Sequence, residues 1–346
     1  MTADTPSPSA SRGLALAAAS AVTFSAKAIF VKLAFAAAPV DAVTLLTLRM
    51  LWAAPGFVAL SWWASRRAGQ PWTRRRVFAV VGLGFLGYYL ASLLDFLGLE
   101  YISAALERLV LFLYPTIVVL LSALLLRRPI TRREGGALVL SYVGIAVVMA
   151  KDATAPADAA GLWIGCALVF ASAVAYAVYL IGAQRLIASL GAVRFTAAAM
   201  LVSSSCAVVH FAATRPVTAL LQPARVQVLA AAMAVVSTVI PTILLGAAIK
   251  RIGSGRTALV GSIGPVATIA LGYAVLGEPI TGPQLVGAAL VLAGVVLVGG
   301  GTQPLSVAPA TARNAGTDGP AAADTSATAD PDRAHDSARS SSRARS

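Results

Sequence analysis

The chain has 346 residues, 58% of them hydrophobic and only 12% charged, with a mean hydropathy of +0.81 and a formal net charge of +13. A soluble protein carries about 25% charged residues to cover its domains, so a water-soluble globular fold is excluded. Nucleic-acid binding is excluded too, because clusters such as Arg74, Arg75 and Arg76 sit in short breaks between apolar segments rather than in a soluble basic domain.

Apolar segments of about 20 residues, the length that crosses a hydrocarbon core of roughly 30 Å, recur along the chain. They predict an all-α membrane protein with ten helices, over 13–35, 42–63, 77–99, 103–126, 134–150, 161–181, 193–213, 226–248, 255–277 and 282–301. A short N-terminal segment, 1–12, precedes them. A signal peptide competes for the first helix, since Ala36, Ala37 and Ala38 resemble a cleavage site, but its length and its Lys27 and Lys32 favour a retained helix. The 134–150 span is short, and its assignment leans on an internal repeat. Residues 302–346, rich in Ala, Ser, Thr, Asp and Arg, are expected to form a disordered cytoplasmic tail.

With the N-terminus inside, the cytoplasmic loops receive fourteen basic residues: Arg66, Arg67, Arg74, Arg75, Arg76, Arg127, Arg128, Arg132, Arg133, Arg185, Arg194, Lys250, Arg251 and Arg256. The opposite side receives three, Lys151, Arg215 and Arg225. This bias predicts cytoplasmic termini in a bacterial-type inner membrane. Cys166 and Cys206 both lie in apolar segments and read as packing residues.

Shifted by 150 residues, the end of one half falls on the end of the other. Pro115 meets Pro265, Pro129–Ile130–Thr131 meets Pro279–Ile280–Thr281, and Gly144 meets Gly294. The shared proline spacing outweighs the matched leucines and valines, which chance supplies readily. Two five-helix repeats are expected, over 13–150 and 161–301. An odd number of helices per repeat inverts the second relative to the first, an arrangement of many secondary transporters.

Gly277–Glu278–Pro279–Ile280–Thr281, followed by Gly287, Ala288, Ala289, Leu290, Ala293, Gly294 and Val295, resembles the EamA repeats of the drug/metabolite transporter superfamily. The likeness covers roughly 13–301. The first half departs from it, with Arg127 and Arg128 where an acidic residue is usual. The resemblance implies a ten-helix transporter, in many members an exporter of metabolites, amino acids or drugs.

Gly82, Gly84 and Gly87 satisfy a dinucleotide fingerprint, but that motif needs a preceding strand, and within an apolar helix small residues serve close packing. Pro115 and Pro265 fall mid-span, where a proline loses a donor and crowds the carbonyl four residues back. Tyr114 and Gly264 beside them are expected to border a central cavity, and Pro241 adds a third bend. Trp52 lies deeper than the other tryptophans and is a further cavity candidate. His210 and the Ser203–Ser204–Ser205 run read as interfacial and packing residues.

Charge inside a bilayer is expensive, so each buried ion marks a functional candidate. Lys27, Arg49, Asp95, Glu107 and Arg108 fall within about 12 Å of the outer surface at 1.5 Å per residue, one layer belonging wholly to the first half. Structural pairing, such as Asp95 with Arg49 or Glu107 with a neighbouring cation, is the competing account. Lys32 can snorkel to the interface. Three cations against two anions suggest a site for an anionic or zwitterionic, amino acid-like solute. Glu107 or Asp95 is the candidate carrier of a coupling proton, and no bound cofactor is expected. The partners are thus a small solute and the lipid bilayer, and a homodimer is compatible with the chain. A membrane enzyme or a scaffold is the rival class, although no HExxH, nucleophile elbow or metal-spaced His/Cys cluster is present.

Overall fold

The structure, a computed structural model, describes residues 8–66, 71–126, 129–152 and 159–299. All belong to one of the chain's two compact units; the other, Ser306–Ser346, lies outside the described residues, as do the predicted tail and Arg67, Arg127 and Arg128. Regular structure among the described residues is entirely helical: α1 (Pro8–Ala37), α2 (Ala42–Ser65), α3 (Arg74–Gly84), α4 (Ala91–Leu99), α5 (Ala104–Leu111), α6 (Tyr114–Leu126), α7 (Arg132–Asp152), α8 (Ala159–Leu190), α9 (Ala192–Thr214), α10 (Ala224–Ala234), α11 (Ile240–Gly261), α12 (Gly264–Leu271) and α13 (Gly282–Gly299). Joined through short π turns and the two-residue turn 112–113, these give eight helices long and apolar enough to cross a membrane, plus two shorter apolar helices, Gly264–Leu276 and Gly282–Leu297.

The starts are written in the sequence. Asp41 caps α2 by accepting the N–H groups of Val43 and Thr44 at 3.0 and 3.2 Å, and Ser103 caps α5 by accepting that of Leu106 at 3.2 Å. The repeated Pro-Ile-Thr is a capping device. Glu134 accepts the N–H of Thr131 at 2.9 Å before α7, and Gln284 accepts that of Thr281 at 3.1 Å before α13.

Irregularities recur at the same interval as these caps. A π turn at Phe85–Leu90 joins α3 to α4, and another at Val235–Val239 joins α10 to α11. Ser172 donates to the carbonyl of Ala91 at 2.7 Å, just past the first turn. Ser20 donates to that of Pro241 at 2.9 Å, just past the second. Two-residue breaks at 112–113 and 262–263 precede α6 and α12. Pro115 and Pro265 are therefore not mid-helix kinks. Each is the second residue of a new helix, where a proline gives up no intrahelical bond.

One predicted boundary is corrected. Separate helices were expected over 226–248 and 255–277, but helical hydrogen bonding runs through α11 to Gly261. Along α1, Ser20 meets Pro241, Gly13 meets Ile252 and Ser25 meets Gly264. Contacts thus descend α1 and climb back, so the chain reverses within that helical stretch.

Helices pack in antiparallel pairs. In α2 and α9, Thr47 donates to the carbonyl of Ala207 at 3.2 Å, while Met50 lies against Ser203 and Ser204. Gly84 and Gly87 pack on Ala199 and Tyr179, the helix-packing role expected of them. The closest approach is between α7 and α13. A Cβ on Gly144 would lie 2.7 Å from the carbonyl of Gly287, and one on Gly294 would lie 2.7 Å from that of Ala137.

One end of the bundle gathers Asp41, Glu100, Arg215 and Glu278. Asp41 pairs with Arg215 at 3.3 Å, Glu100 accepts the N–H of Ala42 at 3.0 Å, and Glu278 accepts that of Ala104 at 3.1 Å. The other end carries Arg66 over Trp62 and Arg194 over Trp72, with guanidinium carbons 3.7 and 4.9 Å from the ring centroids.

Gly294→Val should overpack the α7–α13 contact and cost about 1–3 kcal/mol, whereas Gly135→Ala, with open space around it, should be neutral. Thermal unfolding in detergent reads both; equal midpoints for the two variants would refute the tight contact.

Candidate functional site

Lys27 on α1, Arg49 on α2, Asp95 on α4, and Glu107 and Arg108 on α5 are all buried, Glu107 completely. Lys27 Nζ lies 2.6 Å from Asp95 Oδ2 and 3.4 Å from Glu107 Oε1. The competing pair of Asp95 with Arg49 does not form; one ammonium serves both carboxylates. Asp95 Oδ1 and Glu107 Oε2 are buried with no N–H donor, and the two carboxyl groups lie within hydrogen-bonding reach of each other.

The arginines are held differently. Arg49 Nε donates to Thr238 Oγ1 at 3.1 Å, its guanidinium carbon lies 5.4 Å from the Phe96 ring centroid, and Nη1 is buried without a partner. Arg108 Nε donates to Thr268 Oγ1 at 3.0 Å and Nη2 to the carbonyl of Phe24 at 3.0 Å. Both guanidiniums therefore reach from the first half to a hydroxyl of the second, with neutral oxygens where buried cations more usually find acids. Asp95 and Glu107 act on these arginines electrostatically, but the layer's three buried cations outnumber its two anions, which leaves attraction for a further anion.

Thr238 and Thr268 are the residues that sequence reasoning missed. The available signal was a hydroxyl three residues before Pro241, between Ser237 and Thr242, and another three after Pro265. A tyrosine cluster was missed as well. The Tyr114 ring meets Phe112 and Tyr176 at 5.8 and 5.1 Å, Tyr176 stacks on Tyr179 at 5.6 Å, and Tyr179 donates to the Tyr88 hydroxyl at 3.1 Å. Tyrosines away from membrane interfaces run against the usual distribution, which was the cue.

Of the remaining predicted residues, Gly264 accepts from Ser25 Oγ through its carbonyl at 3.0 Å, and Pro265 is buried beside it. Pro115 follows Tyr114 at the start of α6. Trp52 stands apart: it is exposed and donates to Gln227 Oε1 at 3.3 Å. His210 pairs with the Tyr89 hydroxyl at 2.6 Å, away from the charges. Outside the spans, partial burial alone would push the Asp41 carboxyl up, but hydrogen bonds from Thr44 and Arg215 hold it below the ordinary aspartate value. Among the described residues, no group of three or more His, Cys, Asp or Glu side chains is placed to hold a metal ion.

The EamA-like transporter family matches this sequence twice, over residues 11–150 and 163–300. The chain belongs to the EamA-like transporter family. It is accordingly a transmembrane transporter, and the resemblance to the drug/metabolite transporter superfamily stands. An uncharacterized transporter of Bacillus subtilis (strain 168), YcbK, is 31% identical over 264 residues, covering 74% of this chain and 83% of its own. A second from the same organism, YyaM, is 26% identical over 203 residues, covering 58% of this chain and 67% of its own. A solved crystal structure at 17% identity superposes with a TM-score of 0.57 over 83% of this chain and 96% of that one, which speaks for the fold alone.

Within this EamA-like transporter, Lys27→Met should leave two buried carboxylates facing each other and cost roughly 3–5 kcal/mol. Adding Asp95→Asn and Glu107→Gln should recover most of the loss. Melting of the purified variants checks this; a triple variant no more stable than the single one would refute the shared clasp.

Proposed function

We propose that this protein is a secondary active transporter that moves a small anionic or zwitterionic solute, amino acid-like in charge, by alternating access. The observation carrying this reading is the pair of buried arginines on threonines. Lys27 is hydrogen-bonded to Asp95 and Glu107, whereas Arg49 and Arg108 feel those carboxylates only electrostatically and hydrogen-bond to neutral oxygens, and Arg49 Nη1 has no hydrogen-bond partner. A carboxylate entering between the halves would supply the missing charge bidentately.

The two family matches support two repeats, and antiparallel packing supports their inversion. Gly144 faces Gly287 as Gly294 faces Ala137, positions exchanged by the 150-residue shift. On this reading the two shorter apolar helices also cross, giving ten spans. The arginine-rich end lies in the cytoplasm by the positive-inside rule, with both termini there and the Asp41 end outside a bacterial plasma membrane. Export is the direction that family resemblance favours. Glu107 or Asp95 carries the coupling proton, Lys27 being their common counter-ion.

Proteoliposomes loaded with labelled amino acids and small carboxylates test the reading by counterflow. Arg49→Gln and Arg108→Gln, correctly inserted, should each lower exchange by about tenfold or more, the worth of a charge-assisted hydrogen bond. Glu107→Gln should abolish accumulation driven by a pH gradient while sparing counterflow. Parent-like exchange in both arginine variants, or exchange of cationic solutes instead, would overturn the anionic site.

A further inference from the structure

Glu278 belongs to the motif that carries the family resemblance, yet it lies outside the charged layer. Its position is set by the backbone. The chain leaves a short π turn, Gly272–Leu276, through Gly277 at a positive φ of 69°, and the N–H of Glu278 closes back on the carbonyl of Gly272 at 3.1 Å. The side chain then folds over the same glycine, since a Cβ on Gly272 would lie 3.0 Å from Glu278 Oε2. Oε1 accepts the N–H of Ala104 at 3.1 Å, while Oε2 is buried without a partner, and Lys32 on α1 interacts with it electrostatically. A carboxylate of the second half thus holds the first N–H of a first-half helix.

That helix is α5, of eight residues, joined to α6 through the two-residue turn 112–113, where Phe112 and Leu113 donate back to the carbonyls of Arg108 and Val110 at 3.0 and 3.1 Å. Ala104 stands three residues, about 4.5 Å, from Glu107, so the residue being held belongs to the same turn as Glu107, with Arg108 next to it. The N–H groups of a helix start have no intrahelical acceptor, and a carboxylate there gains from the helix dipole as well. Glu278 therefore holds α5 at the Asp41 end, within one helical turn of Glu107 and Arg108 of the ionic layer.

We infer that Glu278 is a latch, whose release from Ala104 lets α5 swing about the 112–113 break and opens the charged layer to the Asp41 end. The inference rests on the alternating-access reading, and it assigns the second half a controlling part in a site whose charges belong to the first. The exposed Asp41–Arg215 pair on the same face also joins the two halves, but Arg215 is solvent-screened, so it serves as the comparison.

The test uses the full chain in right-side-out vesicles, with Cys166 and Cys206 replaced by alanine and Ser25→Cys as reporter beneath the latch. Labelling by a membrane-impermeant maleimide is measured from the Asp41 side. Glu278→Ala should raise the rate about tenfold or more, the equivalent of one charge-assisted hydrogen bond. Ala104→Pro should do the same, because proline fits the first helical position and removes only the donor; Ser103, with ψ at 158°, already has the backbone that a following proline requires. The double variant should label no faster than either single one, and Asp41→Asn should leave the rate near that of the parent. Parent-like labelling in both latch variants, lower melting temperature without faster labelling, or an equal rise in Asp41→Asn would overturn the latch. Faster labelling, with no counterflow in the parent chain that keeps Ser25, would keep the latch and sink the transport reading. Counterflow with unchanged labelling would sink the latch alone.

Discussion

Inside a bilayer a polar group has to find its partner within the protein, and the bond from Lys27 to two carboxylates is where that constraint binds hardest. It bridges three separate helices, α1, α4 and α5. With the ammonium committed, the two arginines of the layer have to be satisfied elsewhere, and each finds a threonine of the other half. The contact between halves is thus polar and adjustable near the charges, while at α7 and α13 it is close backbone packing around glycine. A molecule whose halves move needs both: a contact that keeps its register, and one that changes partners without leaving an ion bare.

The sequence disclosed the class of the fold plainly, because spans and loops follow from hydropathy and arginine placement. It disclosed the ionic layer for the same reason: ions are rare enough in apolar helices to stand out. What it hid was pairing. Asp95 had two cations within plausible reach, and nothing in their spacing chose Lys27 over Arg49. The threonines were hidden because a hydroxyl can be satisfied by its own helix, so Thr238 and Thr268 looked innocuous among apolar neighbours. The expected helices 226–248 and 255–277 were parted near 249–254 on loss of hydropathy, whereas hydrogen bonding stays helical to Gly261 while the chain reverses. Pro115 and Pro265 were located correctly, but a proline beginning a helix and a proline bending one leave the same mark in a sequence.

The paired irregularities are informative for a different reason. Pro241 follows the second π turn, and proline alone would explain that distortion. Ala91 occupies the matching place after the first turn, and the turn forms there regardless. The bulge is therefore a property of the helix in its packing, with a serine hydroxyl on the carbonyl beyond it in both cases.

A π turn holds one residue more than the α-helix it interrupts, and that extra residue sets a direction. Each residue advances an α-helix by about 100°, so everything beyond the turn is rotated by that much relative to an uninterrupted helix. Asp95 lies five residues past Leu90. Were Phe85–Leu90 to tighten into ordinary α-helix by losing a residue, α4 would keep its length and its apolar character, but its carboxylate would point a quarter-turn away from Lys27. The aim of an acid paired with Lys27 at 2.6 Å is thus decided a turn and a half earlier, by a residue that carries no charge.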